Sequence, residues 1–168
     1  ASGGASSSFS GTLGGGGVFQ WLGGGQLTLD AATGFDGRTQ VLGGTLALAH
    51  ADVLAGSPVS VGPGATLAVL ASSRVQSLSQ PGADGGQVLL AAGATLSTGG
   101  AADTRFSGPI RGDGALRKLG SGRFTLAGVN SYGGGTVVEA GILQGDSLAL
   151  QGDITVATQL VFDQASDG

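Results

Sequence analysis

The apolar runs of this chain are short, alternate with polar residues, and are broken by glycine-centred turns about every ten residues. Within Gly108 to Gly145 they are Ala115-Leu116, Phe124-Thr125-Leu126, Thr136-Val137-Val138 and Ile142-Leu143. None is long enough for a globular helix, and none buries a face alone. Units of this kind need neighbours stacked on both sides, which points to a solenoid.

An internal copy supports repetition. Displaced by 97 residues, Phe9 to Leu46 aligns without a gap with Phe106 to Leu143, with 15 identities in 38 positions. Phe9, Leu22, Leu29, Val41 and Leu46 match Phe106, Leu119, Leu126, Val138 and Leu143. Together with Leu67 and Leu96 these twelve residues are the expected inward core. Gly15, Gly17, Gly25, Gly37 and Gly44 match Gly112, Gly114, Gly122, Gly134 and Gly141 as the expected turn glycines. The motif Gly-Ala-Thr-Leu occurs at residues 64–67 and again at 93–96, 29 residues later.

Strand-like runs near every ten residues, with larger units near twenty, fit coils of two or three short strands. Stacked coils pair strand on strand in parallel and satisfy their backbone between rungs. The expected fold is all-β, a single-stranded right-handed parallel β-helix, because crossovers in parallel sheets are right-handed. A β-sandwich of short strands is the alternative. One stretch, LALAHADVLAGS at residues 46–57, has some helical potential.

Composition excludes several classes. Glycine supplies 36 of 168 residues, roughly three times its usual share, without the strict three-residue period of collagen. A hydrophobic fraction of 40% argues against disorder. Net charge is -4 with only seven Lys and Arg, so nucleic acid is not an expected partner. Cysteine is absent, which removes thiol chemistry and disulfides. No apolar run approaches the ~20 residues of a membrane helix.

Chemistry-bearing residues are sparse. His50 is the only histidine and reads as a polar turn residue among alanines. The eleven acids mostly adjoin Gly, Ser or Ala in turn-like sequence. Asp113 with Glu139 or Arg111 would cluster only if the rungs stack suitably. Asp84-Gly85-Gly86 and Gly112-Asp113-Gly114 are isolated, whereas calcium-binding solenoids carry such motifs in series. No catalytic residue, metal ligand or cofactor site is therefore expected. Trp21 is the one tempting contact residue, with packing over a Gly-rich turn, which it would shield, as the alternative. If its neighbour Leu22 points inward, as Leu119 would in the copy, then Trp21 and Lys118 point outward to solvent.

Residues Leu116 to Leu143, LRKLGSGRFTLAGVNSYGGGTVVEAGIL, resemble the passenger-associated transport repeat of bacterial autotransporters, the type V secreted proteins. The matching blocks are Lys118 with Gly120 and Gly122, Thr125-Leu126 with Gly128, Asn130 with Tyr132, and Gly141 with Leu143. The first copy departs from the pattern: Trp21 replaces the Lys, and Thr33-Gly34-Phe35-Asp36-Gly37 replaces the Asn-x-Tyr block. Leu160 to Gln164 looks like the start of a third unit.

The resemblance implies a passenger β-helix, at the cell surface or secreted, that precedes a C-terminal outer-membrane barrel. Membrane attachment would run through that barrel, whose strand pattern is not in this chain. It implies a non-enzymatic structural and adhesive segment that supports passenger folding during secretion. Its partners would be a host or abiotic surface ligand, or other copies through β-helix faces or edges. The alternative is a polysaccharide-acting β-helix enzyme, a lyase or hydrolase. Such an enzyme needs two opposed carboxylates. Residues 1–8 are expected to fray, residues 9–168 to form one continuous piece of a longer array, and the rung at Leu160 to Phe162 to lack a cap.

Overall fold

The computed structural model describes residues 4–164, and these form strands and turns with no helix. Every strand pairing is parallel and joins a strand to its counterpart one coil later. The chain is thus a β-solenoid. Down one ladder Leu27 pairs Leu46, Leu46 pairs Leu67, Leu67 pairs Val88 and Val88 pairs Ile110, so a coil measured on this face takes 19 to 22 residues.

Each coil has three faces. The first carries Ser6–Phe9, Gln26–Leu29, Thr45–Leu48, Thr66–Val69, Gln87–Leu90, Ile110–Gly112 and Ser131–Tyr132 as one seven-stranded sheet. The second begins with the short pair Gly14–Gly15 and Gly34–Phe35. It continues through Leu54 and Val75 to Thr95–Thr98, Ala115–Lys118, Thr136–Val138 and Ile154–Val156. The third carries Val18–Trp21 and Arg38–Val41, then Val59 and Leu78. It is completed by Thr104–Phe106, Arg123–Leu126, Ile142–Gly145 and Gln159–Phe162.

Two long strands, Leu54–Val61 and Ser73–Ser79, run across the corner between the second and third faces, with a register shift between Val75 and Ser77. That crossing joins the two faces into one eight-stranded sheet. Eight rungs are therefore stacked.

The inside is a column of apolar side chains in which Leu29, Leu48, Val69 and Leu90 follow one another up the first face, each at most 2% exposed. A fully buried side chain of this kind contributes about 1.5–3 kcal/mol. Parallel rungs place like residues over like, so the column grows by repetition.

The expected inward residues Leu29, Val41, Leu46, Leu67, Leu96, Phe106, Leu126, Val138 and Leu143 are each at most 2% exposed. Three others are not inside. Phe9 is 40% exposed, because among the described residues its strand is the outermost of its sheet. Leu22 is 68% exposed. Leu119 is half-buried. Both leucines follow the last residue of a strand, where the chain turns into a corner. The inward alternation falls instead on Phe19 with Trp21 and on Leu116 with Lys118. The expected outward placement of Trp21 and Lys118 is therefore corrected: Lys118 is 1% exposed and Trp21 packs against the core.

The 46–57 stretch is not helical. It supplies the end of Thr45–Leu48, a turn at His50, and the start of Leu54–Val61. At the start, the strand Ser6–Phe9 begins inside the segment expected to fray. Residues 1–3 of that segment lie outside the described residues.

The sequence copies do not share faces. From Leu29 the first-face ladder runs through Leu48, Val69 and Leu90 to Gly112, four coils on. Leu126 lies 14 residues beyond Gly112, on the third face. A displacement of 97 residues is thus one face short of five coils. The Gly-Ala-Thr-Leu pair behaves alike. Gly64 and Gly93 have φ of +76° and +77°, and Ala65 and Ala94 donate at 3.0 Å to Gly62 and Ala91 carbonyls. One such turn leads into the first face and the other into the second. The same corner is used at different edges of the prism.

Candidate functional site

The turn glycines make close approach possible. A Cβ on Gly44 would stand 2.3 Å from the carbonyl oxygens of Gly23 and Gly25, and one on Gly141 2.4 Å from those of Gly120 and Gly122. Both have positive φ, +53° and +68°. Gly25, Gly37, Gly112, Gly114, Gly122 and Gly134 likewise lie against backbone of the preceding rung, while Gly15 and Gly17 face open space. No side chain fits at the crowded corners, so function has to reside on the faces and in a few buried polar groups.

Lys118 is the least expected of these groups. Its ammonium is held inside the corner, donating to the carbonyls of Leu119, of Gly120 at 2.9 Å and of Ala140 at 3.2 Å. Burial pulls its pKa below the usual lysine value, and the charge of Asp103 partly offsets this. In the first copy Trp21 takes the place. Its indole lies over Gly23, where a Cβ would come within 2.5 Å of the ring, and its Nε1 is buried without a hydrogen-bond partner among the described residues. Trp21 is thus a packing residue of the corner and not an outward contact. The shared parity of Leu116 and Lys118 is the signal that would have placed the lysine inside.

Two further buried groups are hydrogen-bonded, the first between rungs and the second within one rung. Asn130 Oδ1 accepts from Ile110 N at 2.8 Å, and its Nδ2 donates to Ala149 O at 2.7 Å, so one side chain links three consecutive coils. Tyr132 Oη shares a 2.6 Å bond with Thr136 Oγ1, and burial raises the phenol pKa.

The acids do not converge. Among the described residues no three His, Asp or Glu side chains come together. Glu139 pairs with Arg117 on the outside of the second face, and among the described residues Asp113 makes no ion pair with Arg111. Asp113 lies beside Gly133 at a corner. His50 Nδ1 accepts from Asp52 N at 3.3 Å within its turn.

What the outside offers is ladders. On the third face Gln20 donates to Gln40 at 2.7 Å. Farther along it, Arg123 donates to Gln144, whose amide donates to Asp163 at 2.8 Å. Polar side chains one coil apart thus form rows along the axis. Rows of this kind suit an extended contact surface more than a catalytic cleft.

Comparison with known proteins finds the same repetition along the chain. The passenger-associated-transport-repeat family matches residues 22–48 and 116–144. The chain is 36% identical over 152 residues to the adhesin BmaC autotransporter of Brucella suis biovar 1 (strain 1330). That match covers 88% of this chain and 4% of the relative, so the chain spans a small part of that protein's length. No solved structure matches.

Proposed function

This chain is a repeat region of an autotransporter passenger, located at the cell surface or secreted, and from that premise we propose that its work is structural and adhesive rather than enzymatic. The observation that carries the reading is the 36% identity to an adhesin autotransporter along 88% of this chain. Polar rows along the outer faces support it, because contact with a surface needs length and repetition more than a pocket. The partner is a host or abiotic surface, or another copy meeting the same rows.

A second role is support of folding during export. Each rung offers unpaired backbone groups on which the next rung forms, so folding outside the cell needs no template beyond the coil already made.

The test is surface display in a non-adherent bacterium, with and without residues 26–145, scored for attachment to epithelial cells and to plastic. Attachment that requires the segment supports adhesion; equal attachment without it sinks the reading. Turnover of polysaccharide by the purified chain, lost on replacing one acid, would favour the enzyme instead.

A further inference from the structure

On the third face the loop after Ser73–Ser79 overhangs the neighbouring rungs. Pro81 Cγ lies 3.6 Å from where a Cβ on Gly62 would stand. The loop is pinned by Gln80, whose Nε2 donates to the Gly82 and Ala83 carbonyls at 3.1 and 2.8 Å. Its Oε1 accepts from Ser107 Oγ at 2.8 Å and from Ser107 N. Beneath lies a groove of about 340 Å³ lined by Arg38, Gln40, Pro58, Ser60, Ser79 and Pro81.

Two observations give the groove a preference. First, Arg38 is the only charge in the lining, and among the described residues it makes no ion pair. Second, Gln40 spends its Oε1 on Gln20 and keeps its amide hydrogens for another acceptor.

The lining therefore offers a planar forked cation, an amide donor, and the Ser79 hydroxyl, which both donates and accepts. Pro58 and Pro81 add apolar ring surface. The volume falls within the usual small-ligand range of about 300–1,000 Å³. A compact ligand with one carboxylate and several hydroxyls meets every one of these groups.

We propose that this groove binds an acidic saccharide, with its carboxylate on Arg38 and its ring hydroxyls on Gln40 and Ser79. The inference rests on the adhesive reading for its biological sense. Its test needs no cell surface: a chain that adheres without binding sugar overturns the site and leaves adhesion standing.

The experiment is titration of the isotopically labelled chain with glucuronate, glucose or glutamate, followed by amide NMR shifts. Glucuronate is expected to give saturable shifts at residues 38–40, 58–60 and 79–81, with glucose much weaker and glutamate not saturating. Arg38→Gln is expected to weaken glucuronate binding about tenfold or more, and Ser79→Ala by a smaller factor. Arg38 is exposed, so the fold survives its replacement, as the remaining resonances would show. Absence of saturable shifts, an equal response to glutamate, or unchanged affinity in Arg38→Gln would each overturn the proposal.

Discussion

Lys118 Nζ stands 2.8 Å from where a Cβ on Gly141 would be. The ammonium and the glycine share one corner, and the glycine's lack of a side chain leaves room for the charge. Gly141 also has φ of +68° and lies under the Gly120 and Gly122 carbonyls. Gly141→Ala is expected to destabilise the chain by roughly 1–3 kcal/mol, through strained backbone and a displaced ammonium. Lys118→Met keeps much of the volume but leaves the carbonyls of Leu119, Gly120 and Ala140 short of a donor. A loss of about 1–3 kcal/mol is expected. Urea unfolding of both variants checks this, and a Lys118→Met chain as stable as the parent would contradict the clamp.

Matched residues of the two copies should differ in energy where their burial differs. Leu126→Ala is expected to cost ~2–5 kcal/mol by transfer and cavity together. Phe9→Ala, at an outer strand with a side chain 40% exposed, should cost less than Phe106→Ala, for which ~3–5 kcal/mol is the usual range. Equal losses at Phe9 and Phe106 would mean that the first rung is covered in solution.

Asn130 is a linker of rungs. Asn130→Ala leaves Ile110 N and Ala149 O without their partner, at about 1–3 kcal/mol for each buried group. Hydrogen exchange is the sharper measurement, since the Ile110 amide should lose protection selectively. Unchanged exchange at Ile110 would show that another acceptor replaces Asn130.

The phenol of Tyr132 has a raised pKa because burial disfavours the phenolate. Below the unfolded value of about 10.0 both states keep the proton and no pH dependence arises. Above it the unfolded chain loses its proton while the folded chain retains it, so stability falls as pH rises toward the folded pKa. Tyr132→Phe should be less stable near neutrality, lacking the Thr136 bond, yet should lose less between pH 10 and 11. Parallel unfolding curves for the two chains across that window would refute the assignment.

Exchange along the whole chain should track the rungs. Protection is expected to be high at Val88 and Leu96, which are fully buried. It should fall from Ile154 onward, where strands are largely exposed. Uniform protection through Phe162 in a dilute monomer would mean that the last rung is sealed.

Alternation and glycine spacing, local properties of the chain, determined the strand class, the coil near twenty residues and the need for stacking. They also singled out the repeat of Phe9 to Leu46 at Phe106 to Leu143. Which member of each alternating pair faces inward was settled only by rung pairing at the ends of strands. Trp21 and Lys118 go in because they pair with Val41 and Val138, while Leu22 and Leu119 enter the corner. The face each copy occupies was likewise a tertiary decision. Three similar corners let one motif serve at any edge of the prism, so Leu29 and Leu126 are both inside but on different faces. The groove below Pro81 belongs to the same class: Arg38, Ser60 and Ser79 come from three successive coils, about twenty residues apart. No local pattern marks them, because only stacking turns that spacing into contact.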